Sequence, residues 1–485
     1  MDVHLTIHGR HDLAGQLYRQ LRTAILEGRL VPGERLPSTR DLALQIGVSR
    51  KTTLDVFERL IAEGYLQSRA GSGTFVAQAA EGLCGRTPAI SPAEQLTAPT
   101  PPAHAFPTPW NDLPDVLPQP RAHVDYDFVG GVTEKRLFPF DAWRRCVAHA
   151  LRQQARGRGG YHDPAGDQSL RLAIARYLAF SRAVVCGWAD IVVTQGAQQA
   201  IDLLARVVVR PGETVAVEDP GYPPVRIALQ ALGANVVPVP VDAEGLIVDA
   251  LPPHAKLVYV TPSHQFPLGM PMSLARRAQL LDWARRHDAL IVEDDYDSEF
   301  RFDGRPMESL KSLDTAGYVA YVGTFSKTIF PELRIGYVVP PASLALPLRR
   351  AKQVADWHSE SLMQAALAKF MLDGDFAKYL RRMHKEYAAR RNALLQHLRG
   401  PLGAWMAPLP SAAGIHMAAQ LRAPLSEATV VQAAQRVGVG LYGTGRMYVA
   451  RPPQPGLLLG YGHVNAAEID AGLTRLAEAL GNVAT

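Results

Sequence analysis

At 485 residues the chain is too long for one ordinary hydrophobic core, so at least two domains are expected. Hydrophobic residues make up 47% of it, and no apolar run reaches the roughly 18 residues of a membrane span, which excludes a membrane protein. The net charge of +5 is too diffuse to indicate nucleic-acid binding by itself. Three widely spaced cysteines suggest no metal site, and without a signal-peptide pattern we expect a cytoplasmic protein.

Composition divides the chain into three parts. Residues 1–77 are regular and helix-rich, whereas residues 78–124 are crowded with proline, alanine and threonine. Because proline lacks a backbone donor and fixes φ, this second part is predicted to be a linker. Residues 125–485 alternate short β-branched runs with longer helix-compatible stretches, which predicts an α/β domain around a mostly parallel sheet. A smaller α+β lobe is expected from about residue 345 to the end.

The first part is predicted to hold three helices and a hairpin. Apolar residues recur at helical spacing in LAGQLYRQLRTAILEGRL, and Ser38 and Ser49 are placed to cap a second and a third helix. In the third helix, a basic and hydroxylated start is expected to be exposed, as in a recognition helix. The residues expected to face inward are Leu54, Phe57, Leu60 and Ile61.

The segment GERLPSTRDLALQIGVSRKTTLDVFERLIAEGYLQSRAGSGTFV resembles the winged helix-turn-helix of the GntR family. This resemblance implies binding to a double-stranded DNA operator, mostly through phosphates, with residues 49–53 nearest the base edges. The alternative, that the basic side chains only solvate a helical bundle, is disfavoured by the turn, caps and hairpin together. The implied contact residues are Arg35, Ser38, Arg40, Ser49, Arg50, Thr52, Thr53 and Gly73.

The strongest chemical signal in the third part is Lys327, in YVGTFSKTIFPELRIGY. The chain has only nine lysines against 42 arginines, and this one lies among small hydroxylated residues at the end of an apolar run. A lysine amine can condense with a carbonyl cofactor, which arginine cannot do, so pyridoxal phosphate is favoured over an ordinary surface lysine.

Other strand ends carry groups that suit the same cofactor. In IVEDDYDSEF, Asp294 can face a pyridine nitrogen and Tyr296 a 3′-oxygen, although without Lys327 these acids could equally hold magnesium. The free amides of Ala197 and Gln198 begin a helix after a glycine and suit a phosphate. Tyr222 is a candidate for stacking on a flat ring.

The order of these motifs, with the TPSHQFPLG turn, resembles the fold-type-I aminotransferases over residues 125–480. The resemblance implies pyridoxal 5′-phosphate held as an internal aldimine by Lys327, with Asp294 at the ring nitrogen and Tyr296 at the 3′-oxygen. Tyr222 would stack on the ring and His264 would line the cofactor site. The phosphate would be held by Ala197, Gln198, Thr324, Ser326 and Arg334, with Tyr161 reaching it from the other subunit of a homodimer.

Two departures separate the chain from free aminotransferases. His264 and Gln265 stand where an asparagine is usual, and this TPSHQ form resembles the MocR/GabR group of regulators. The final strand, LLLGYGHV, has Leu458 near its start, where many aminotransferases have an arginine for the substrate carboxylate. Candidate substitutes for binding an effector carboxylate are Arg446, Arg451 and Arg226.

Three functions are compatible with these motifs. The first is a regulator that senses pyridoxal phosphate, or a small amine or amino acid, through an aldimine at Lys327. The second is an active aminotransferase with an appended DNA-binding module, and the third is a regulator whose enzyme-like domain only dimerises. An aminotransferase needs no winged helix, and a scaffold would have no reason to retain Lys327, Asp294, Tyr296 and Arg334 together, so the first function is favoured. The MocR/GabR resemblance further implies a homodimer with exchanged winged-helix domains.

Overall fold

A computed structural model describes residues 5–7, 9, 11–78, 109–114, 124–304, 307–450 and 454–481. The contacts of the chain divide it into two units, Met1–Phe106 and Pro107–Thr485. Most of the linker predicted at 78–124 lies outside the described residues. In the described ranges, no helix is both long enough and apolar enough to cross a membrane.

The N-terminal unit contains three helices followed by an antiparallel hairpin. Ser38 and Ser49 cap the second and third helices by accepting from the amides of Asp41 (3.2 Å) and Thr52 (3.0 Å), as predicted. The turn between these helices contains Gly47 at φ +71°. The hairpin pairs Leu66 with Val76 and Arg69 with Gly73, which completes a winged helix. The elements are α1 (Leu13–Leu26), α2 (Thr39–Ile46), α3 (Arg50–Ala62), β1 (Leu66–Arg69) and β2 (Gly73–Val76).

The buried face of α3 differs from the prediction. Leu54 is 43% and Ile61 36% exposed, so the expectation that both face inward is wrong. The buried residues are Thr53, Val56, Phe57 and Leu60, which recur at the three- and four-residue spacing of one helical face. Thr53 is fully buried, so it is not available for the predicted contact with DNA.

The larger unit is built on an eight-stranded sheet in the order β4-β11-β10-β9-β8-β5-β6-β7. The strands from β10 to β6 run parallel, and β11 and β7 are antiparallel to their neighbours, which confirms the mostly parallel α/β prediction. Its strands are β4 (Val192–Thr194), β5 (Thr214–Asp219), β6 (Asn235–Asp242), β7 (Gly245–Leu246), β8 (Leu257–Val260), β9 (Leu290–Asp295), β10 (Val319–Thr324) and β11 (Gly336–Val339).

Helices cover both faces of this sheet. Alternate residues of β8 pack in opposite directions, with Tyr259 in the cluster that contains Leu204 of α6 and Val258 in the cluster that contains Trp283 of α8. The helices of this region are α4 (Phe140–Ala155), α5 (Gln168–Ser181), α6 (Ala197–Val208), α7 (Pro223–Ala231), α8 (Leu274–His287), α9 (Leu310–Leu313), α10 (Ala342–Asp356) and α11 (Ser361–Leu372).

The C-terminal part forms a second, antiparallel sheet in the order β12-β13-β16-β15. A short parallel pair links Tyr126 near the start of this unit to Val439 near its end. The C-terminal lobe therefore also includes residues from the beginning of the unit. Its elements are β3 (Tyr126–Asp127), α12 (Asp375–Arg399), β12 (Met406–Pro408), β13 (His416–Leu421), α13 (Glu427–Arg436), β14 (Val439–Gly440), β15 (Tyr442–Gly443), β16 (Gly456–Gly460) and α14 (Ala466–Gly481).

The orientation of α3 can be tested with two leucine truncations. Leu60 is fully buried, so Leu60→Ala should lower the free energy of unfolding of the N-terminal unit by about 2–5 kcal/mol. Leu54→Ala, on the exposed face, should change it by roughly 0.5 kcal/mol or less. Hydrogen exchange of residues 13–62 in the full chain reports both changes. Equal or reversed effects would contradict the observed register.

Candidate functional site

The winged helix presents cationic side chains around the start of α3 and the hairpin. Arg35, Arg40 and Arg50 are exposed, and none of them has an ion-pair partner in the part of the chain that the structure describes. A Cβ added at Gly73, which has φ +113°, would lie 3.0 Å from Arg35 Nε, so Arg35 lies directly against the hairpin. Unpaired arginines beside a helix N-terminus and a hairpin suit phosphate contacts.

The predicted hydroxyl contacts have structural roles as well. Ser38 Oγ donates to Asp41 Oδ2 at 2.6 Å, and the Ser49 and Thr52 hydroxyl oxygens are 2.8 Å apart. These side chains hold the helix starts, and their contact with DNA remains a prediction.

The second candidate site lies where β5, β8, β9 and β10 end. Because neighbouring parallel strands end at the same edge of a sheet, the motifs that follow them meet there. The register pairs Val322 of β10 with Asp294 of β9, which places Asp294 beside the segment leading to Lys327. Sequence-distant polar groups are thus collected at one edge.

Lys327 is held at this edge by the backbone of Gly131. Its Nζ donates to the Gly131 carbonyl oxygen at 2.9 Å, and a Cβ at Gly131 would lie 2.6 Å from Nζ. Burial lowers the pKa of Lys327, and the charges of Asp297 and Asp294 oppose this shift. A desolvated amine with a lowered pKa is a better nucleophile toward a carbonyl.

Asp294 has the geometry needed for a pyridine nitrogen. It is 5% exposed, and its Oδ2 accepts from the Tyr259 hydroxyl at 2.6 Å. Its Oδ1 is buried and has no hydrogen-bond partner among the described residues. Burial raises the pKa of Asp294 to about 7. A buried acceptor without a donor fits the protonated ring nitrogen of pyridoxal phosphate.

The residues predicted to bind a phosphate lie at the same edge of the sheet. The helix α6 begins at Ala197, directly after Gly196 at φ +79°. Arg334 donates to the Gln195 carbonyl oxygen at 2.9 Å, and a Cβ at Gly196 would lie 2.9 Å from the same Arg334 nitrogen. The Ser326 hydroxyl is buried without a hydrogen-bond partner in the described chain. A helix N-terminus, an arginine and an unpaired hydroxyl fit a phosphate group.

The remaining members of this set line the same edge. The Thr324 hydroxyl oxygen accepts from the Ser326 amide at 3.2 Å, which orders the loop after β10. Gln198 Nε2 lies 3.5 Å from the Pro224 carbonyl oxygen, near the start of α7. Tyr222 is 38% exposed and meets Phe266 edge to face, with ring centroids 5.2 Å apart.

Residues that sequence reasoning missed surround Tyr296 and His264. His264 Nδ1 lies 2.9 Å from Asp297 Oδ1, and the Tyr296 hydroxyl donates to the His264 carbonyl oxygen at 2.8 Å. The ring of His416 lies 4.6 Å from that of His264. Asp297 is the last acid of EDDYD and could have been selected on that ground, whereas His416, Tyr259 and Gly131 carry no comparable local signal.

His264, Asp297 and His416 each place a possible metal-ligand atom within 4.8 Å of the others. The carboxylate and His264 already satisfy one another through hydrogen bonds, and no ion is needed to account for their burial. We therefore assign this cluster to the cofactor site rather than to a metal.

Of the residues predicted to bind an effector or to reach another subunit, some lie near this edge and one lies outside the described residues. The Gly221 amide donates to the Met447 carbonyl oxygen at 3.1 Å, so the segment of Arg446 lies against the turn before Tyr222. Arg226 is one turn along α7 from Tyr222, and Arg451 lies outside the described residues. Tyr161 is 77% exposed with its ring 4.5 Å from Trp357, so its reach toward another subunit stays a prediction.

Residues 133–480 match the family described as aminotransferase class I and II, and residues 13–76 match the bacterial regulatory proteins of the gntR family. The probable rhizopine catabolism regulatory protein MocR of Rhizobium meliloti is 39% identical over 96% of this chain and 93% of its own length. The HTH-type pyridoxine biosynthesis transcriptional regulator PdxR of Corynebacterium glutamicum is 32% identical, covering 83% of this chain and 82% of its own.

Solved aminotransferases share the fold of the larger unit. Pyrococcus horikoshii kynurenine aminotransferase, in complex with PMP, superposes with a TM-score of 0.69 at 27% identity, over 75% of this chain and 92% of that one. LysN of Thermus thermophilus, complexed with N-(5′-phosphopyridoxyl)-L-leucine, superposes with a TM-score of 0.67 at 27% identity, over 74% of this chain and 92% of that one. The chain has a GntR winged helix that precedes, in sequence, an aminotransferase fold whose buried edge fits pyridoxal phosphate. It therefore belongs to the MocR-type, pyridoxal-phosphate-dependent transcription regulators.

Proposed function

We propose that this regulator senses pyridoxal phosphate, or a small amine or amino acid that reacts with it, at Lys327, and that the bound state changes the affinity of the winged helix for operator DNA. The observation that carries the proposal is a desolvated Lys327 amine near a buried Asp294 Oδ1 that has no hydrogen-bond partner among the described residues. Both are arranged for a ligand that provides a carbonyl and a ring nitrogen.

Each residue has a defined task in this proposal. When bound, pyridoxal phosphate supplies a carbonyl that condenses with amines and a ring that withdraws electrons. Lys327 provides the amine, and the Gly131 carbonyl oxygen orients it. Asp294 holds the proton of the ring nitrogen, and Tyr259 fixes that carboxylate. Arg334 and the first amides of α6 hold the phosphate.

An effector with a carboxylate would find its counter-charge near Tyr222. Arg226 lies one helical turn after Tyr222, and Arg446 precedes Met447, whose carbonyl oxygen accepts from the Gly221 amide. Within the described ranges, neither arginine has an ion-pair partner. Such unpaired guanidinium groups favour an amino acid or an amino acid analogue over a simple alkylamine.

Regulation further requires that the ligand distinguishes two states of the protein. A ligand shifts an equilibrium only by the difference in its affinity for the two states. We propose a homodimer with exchanged winged-helix domains, in which Tyr161 completes the phosphate site of the other subunit. The exposure of Tyr161 supports this reach.

Slow or partial transamination is a second candidate activity. The groups that bind an amine to the cofactor are the groups that begin transamination, and the pocket contains Lys327, Asp294 and Arg334 together. A regulator and an aminotransferase then differ in whether a keto acid is released.

The cofactor assignment predicts a visible absorption band. With pyridoxal phosphate, the protein should absorb at about 410–430 nm, and Lys327→Ala should lose this band. Lys256→Ala, which removes an exposed lysine, should keep it. Amines that shift the band without releasing a keto acid would support sensing, and steady release would support the aminotransferase. A band that survives in Lys327→Ala would refute the role of this residue.

The raised pKa of Asp294 predicts how the stability of the cofactor-free protein depends on pH. The folded protein keeps a proton at Asp294 up to about pH 7, whereas the unfolded chain releases it near the ordinary value of 3.8. Stability is therefore lost as pH rises through this window. Asp294→Asn lacks this titrating group. When the pH rises from about 5 to about 8, its Tm should therefore fall less than the wild-type Tm, and the difference between the two decreases should be roughly 2–4 °C.

Asp288→Asn is the matched control for this measurement, because Asp288 is exposed and its φ of +49° suits asparagine equally well. Its Tm should follow that of the wild type across the same range. A pH profile of Asp294→Asn that is parallel to the wild type would show that Asp294 is ionised in the empty pocket.

The DNA-binding face predicts different effects for two arginines of α3. Arg50 starts the helix and is exposed, whereas Arg59 lies near its end and bridges to Glu63 at 2.9 Å. Arg50→Ala should weaken binding to DNA enriched by the wild type from a random pool by about tenfold or more, which fits a loss of about 1–3 kcal/mol. Arg59→Ala should change it less than about twofold. Fluorescence anisotropy measures both, and equal effects would argue against α3 as the recognition helix.

A further inference from the structure

A buried hydrogen-bond network beside Tyr296 belongs to the cofactor site, but none of the tasks proposed for Lys327, Asp294 and Arg334 involves it. Its centre is the His264 imidazole, which is in contact with Asp297 on one side and Ser411 on the other. His264 is 2% exposed and Asp297 1% exposed. The two Asp297 oxygens lie 2.9 and 3.2 Å from His264 Nδ1, and Ser411 Oγ lies 3.1 Å from Nε2.

The partners of the ring determine where its protons are. Ser411 Oγ donates its only proton to the Ala413 carbonyl oxygen at 3.0 Å, so it accepts from His264 Nε2. The Tyr296 hydroxyl also lies 3.1 Å from Nδ1, but it donates to the His264 carbonyl oxygen at 2.8 Å. Nδ1 therefore faces the Asp297 carboxyl group. With an ionised Asp297, both ring nitrogens need a proton to satisfy these bonds.

The surrounding charges are consistent with an imidazolium at this position. Asp297 Oδ2 also accepts from the Ile415 amide at 3.2 Å. The second histidine, His416, is neutral, because burial and the charge of His264 lower its pKa to about 3. Other titratable groups that face the pair are Tyr296, Lys327, Asp294 and Tyr461, and Arg391 donates to the Ser411 carbonyl oxygen at 2.7 Å.

An imidazolium cannot be a metal ligand, because both ring nitrogens carry protons. With an imidazolium at His264, the spacing of His264, Asp297 and His416 would suit an ion pair beside a neutral histidine.

We propose that Asp297 holds His264 as an imidazolium, and that this ion pair positions the Tyr296 phenol. The two rings lie 5.7 Å apart at 30°, and both polar contacts of the phenol go to His264. The protonation of His264 is a property of the empty protein. Its consequence for the cofactor, through the 3′-oxygen that Tyr296 would face, rests on the proposed function.

The first test uses the cofactor-free protein with isotope-labelled histidine. At about pH 7.5, where an ordinary histidine with a pKa near 6.5 is mostly neutral, NMR should show both ring nitrogens of His264 protonated. His264→Gln assigns the signal. In Asp297→Asn the signal should become that of a neutral ring. A neutral His264 in the wild type at this pH would overturn the proposal, whether or not the cofactor binds.

The second test follows the visible band of the protein-bound cofactor as a function of pH. In His264→Gln, the negative charge of Asp297 is no longer balanced, and it favours protonated groups near Lys327. The midpoint of the spectral titration should therefore rise by about one pH unit, a tenfold change in acidity. His254→Gln, which alters an exposed histidine, should leave the midpoint unchanged.

The two proposals fail in different ways. If Lys327→Ala and the wild type have the same spectrum, the cofactor role fails, and the NMR result still decides the charge of His264. If the cofactor binds as expected but His264→Gln and His254→Gln titrate alike, His264 does not act on the cofactor site. In that case the positioning role of the ion pair is wrong.

Discussion

The burial of charged groups at the edge of the central sheet is the constraint on which the functional part of this structure depends. Parallel pairing of β9 with β10 brings Asp294, which is buried, next to the segment that leads to Lys327, and apolar clusters cover both faces of these strands. Groups that would be fully charged in solution are therefore desolvated together. Their pKa values move in opposite directions, with Lys327 lowered and Asp294 raised, so each shifts toward its neutral form.

These shifts explain why the pocket favours one class of ligand. Asp294 Oδ1 and the Ser326 hydroxyl are buried without hydrogen-bond partners in the described chain, and leaving such a group unsatisfied costs about 1–3 kcal/mol. A ligand that donates a hydrogen bond to Asp294 Oδ1 and accepts one from the Ser326 hydroxyl through a phosphate oxygen removes both of these free-energy costs. Binding and folding are thus coupled through the same atoms, and the stabilisation grows with the logarithm of the ligand concentration once this exceeds the Kd.

Local sequence signals predicted the parts of the site that depend on strand ends and helix starts. Lys327, Asp294 and Ala197 each follow a short apolar run, and the alternation of such runs with helical stretches predicts where the ends of parallel strands meet. Gly131 and His416 reach the pocket only through long-range packing, which no local pattern encodes. The prediction of which face of α3 is buried is wrong for Leu54 and Ile61, because these two residues also lie at a helical spacing. Only packing against the rest of the unit decides between the two faces.

The parallel pair between β3 and β14 has a consequence for the synthesis of the protein. Tyr126 pairs with Val439, and the Phe128 carbonyl oxygen accepts from Gly460, so the backbone that leads to Gly131 is anchored by residues made more than 300 positions later. While the chain is still on the ribosome, this segment lacks its partners, and the carbonyl that orients Lys327 is not yet fixed. The site can therefore reach its final geometry only after residues as far as Gly460 have been translated.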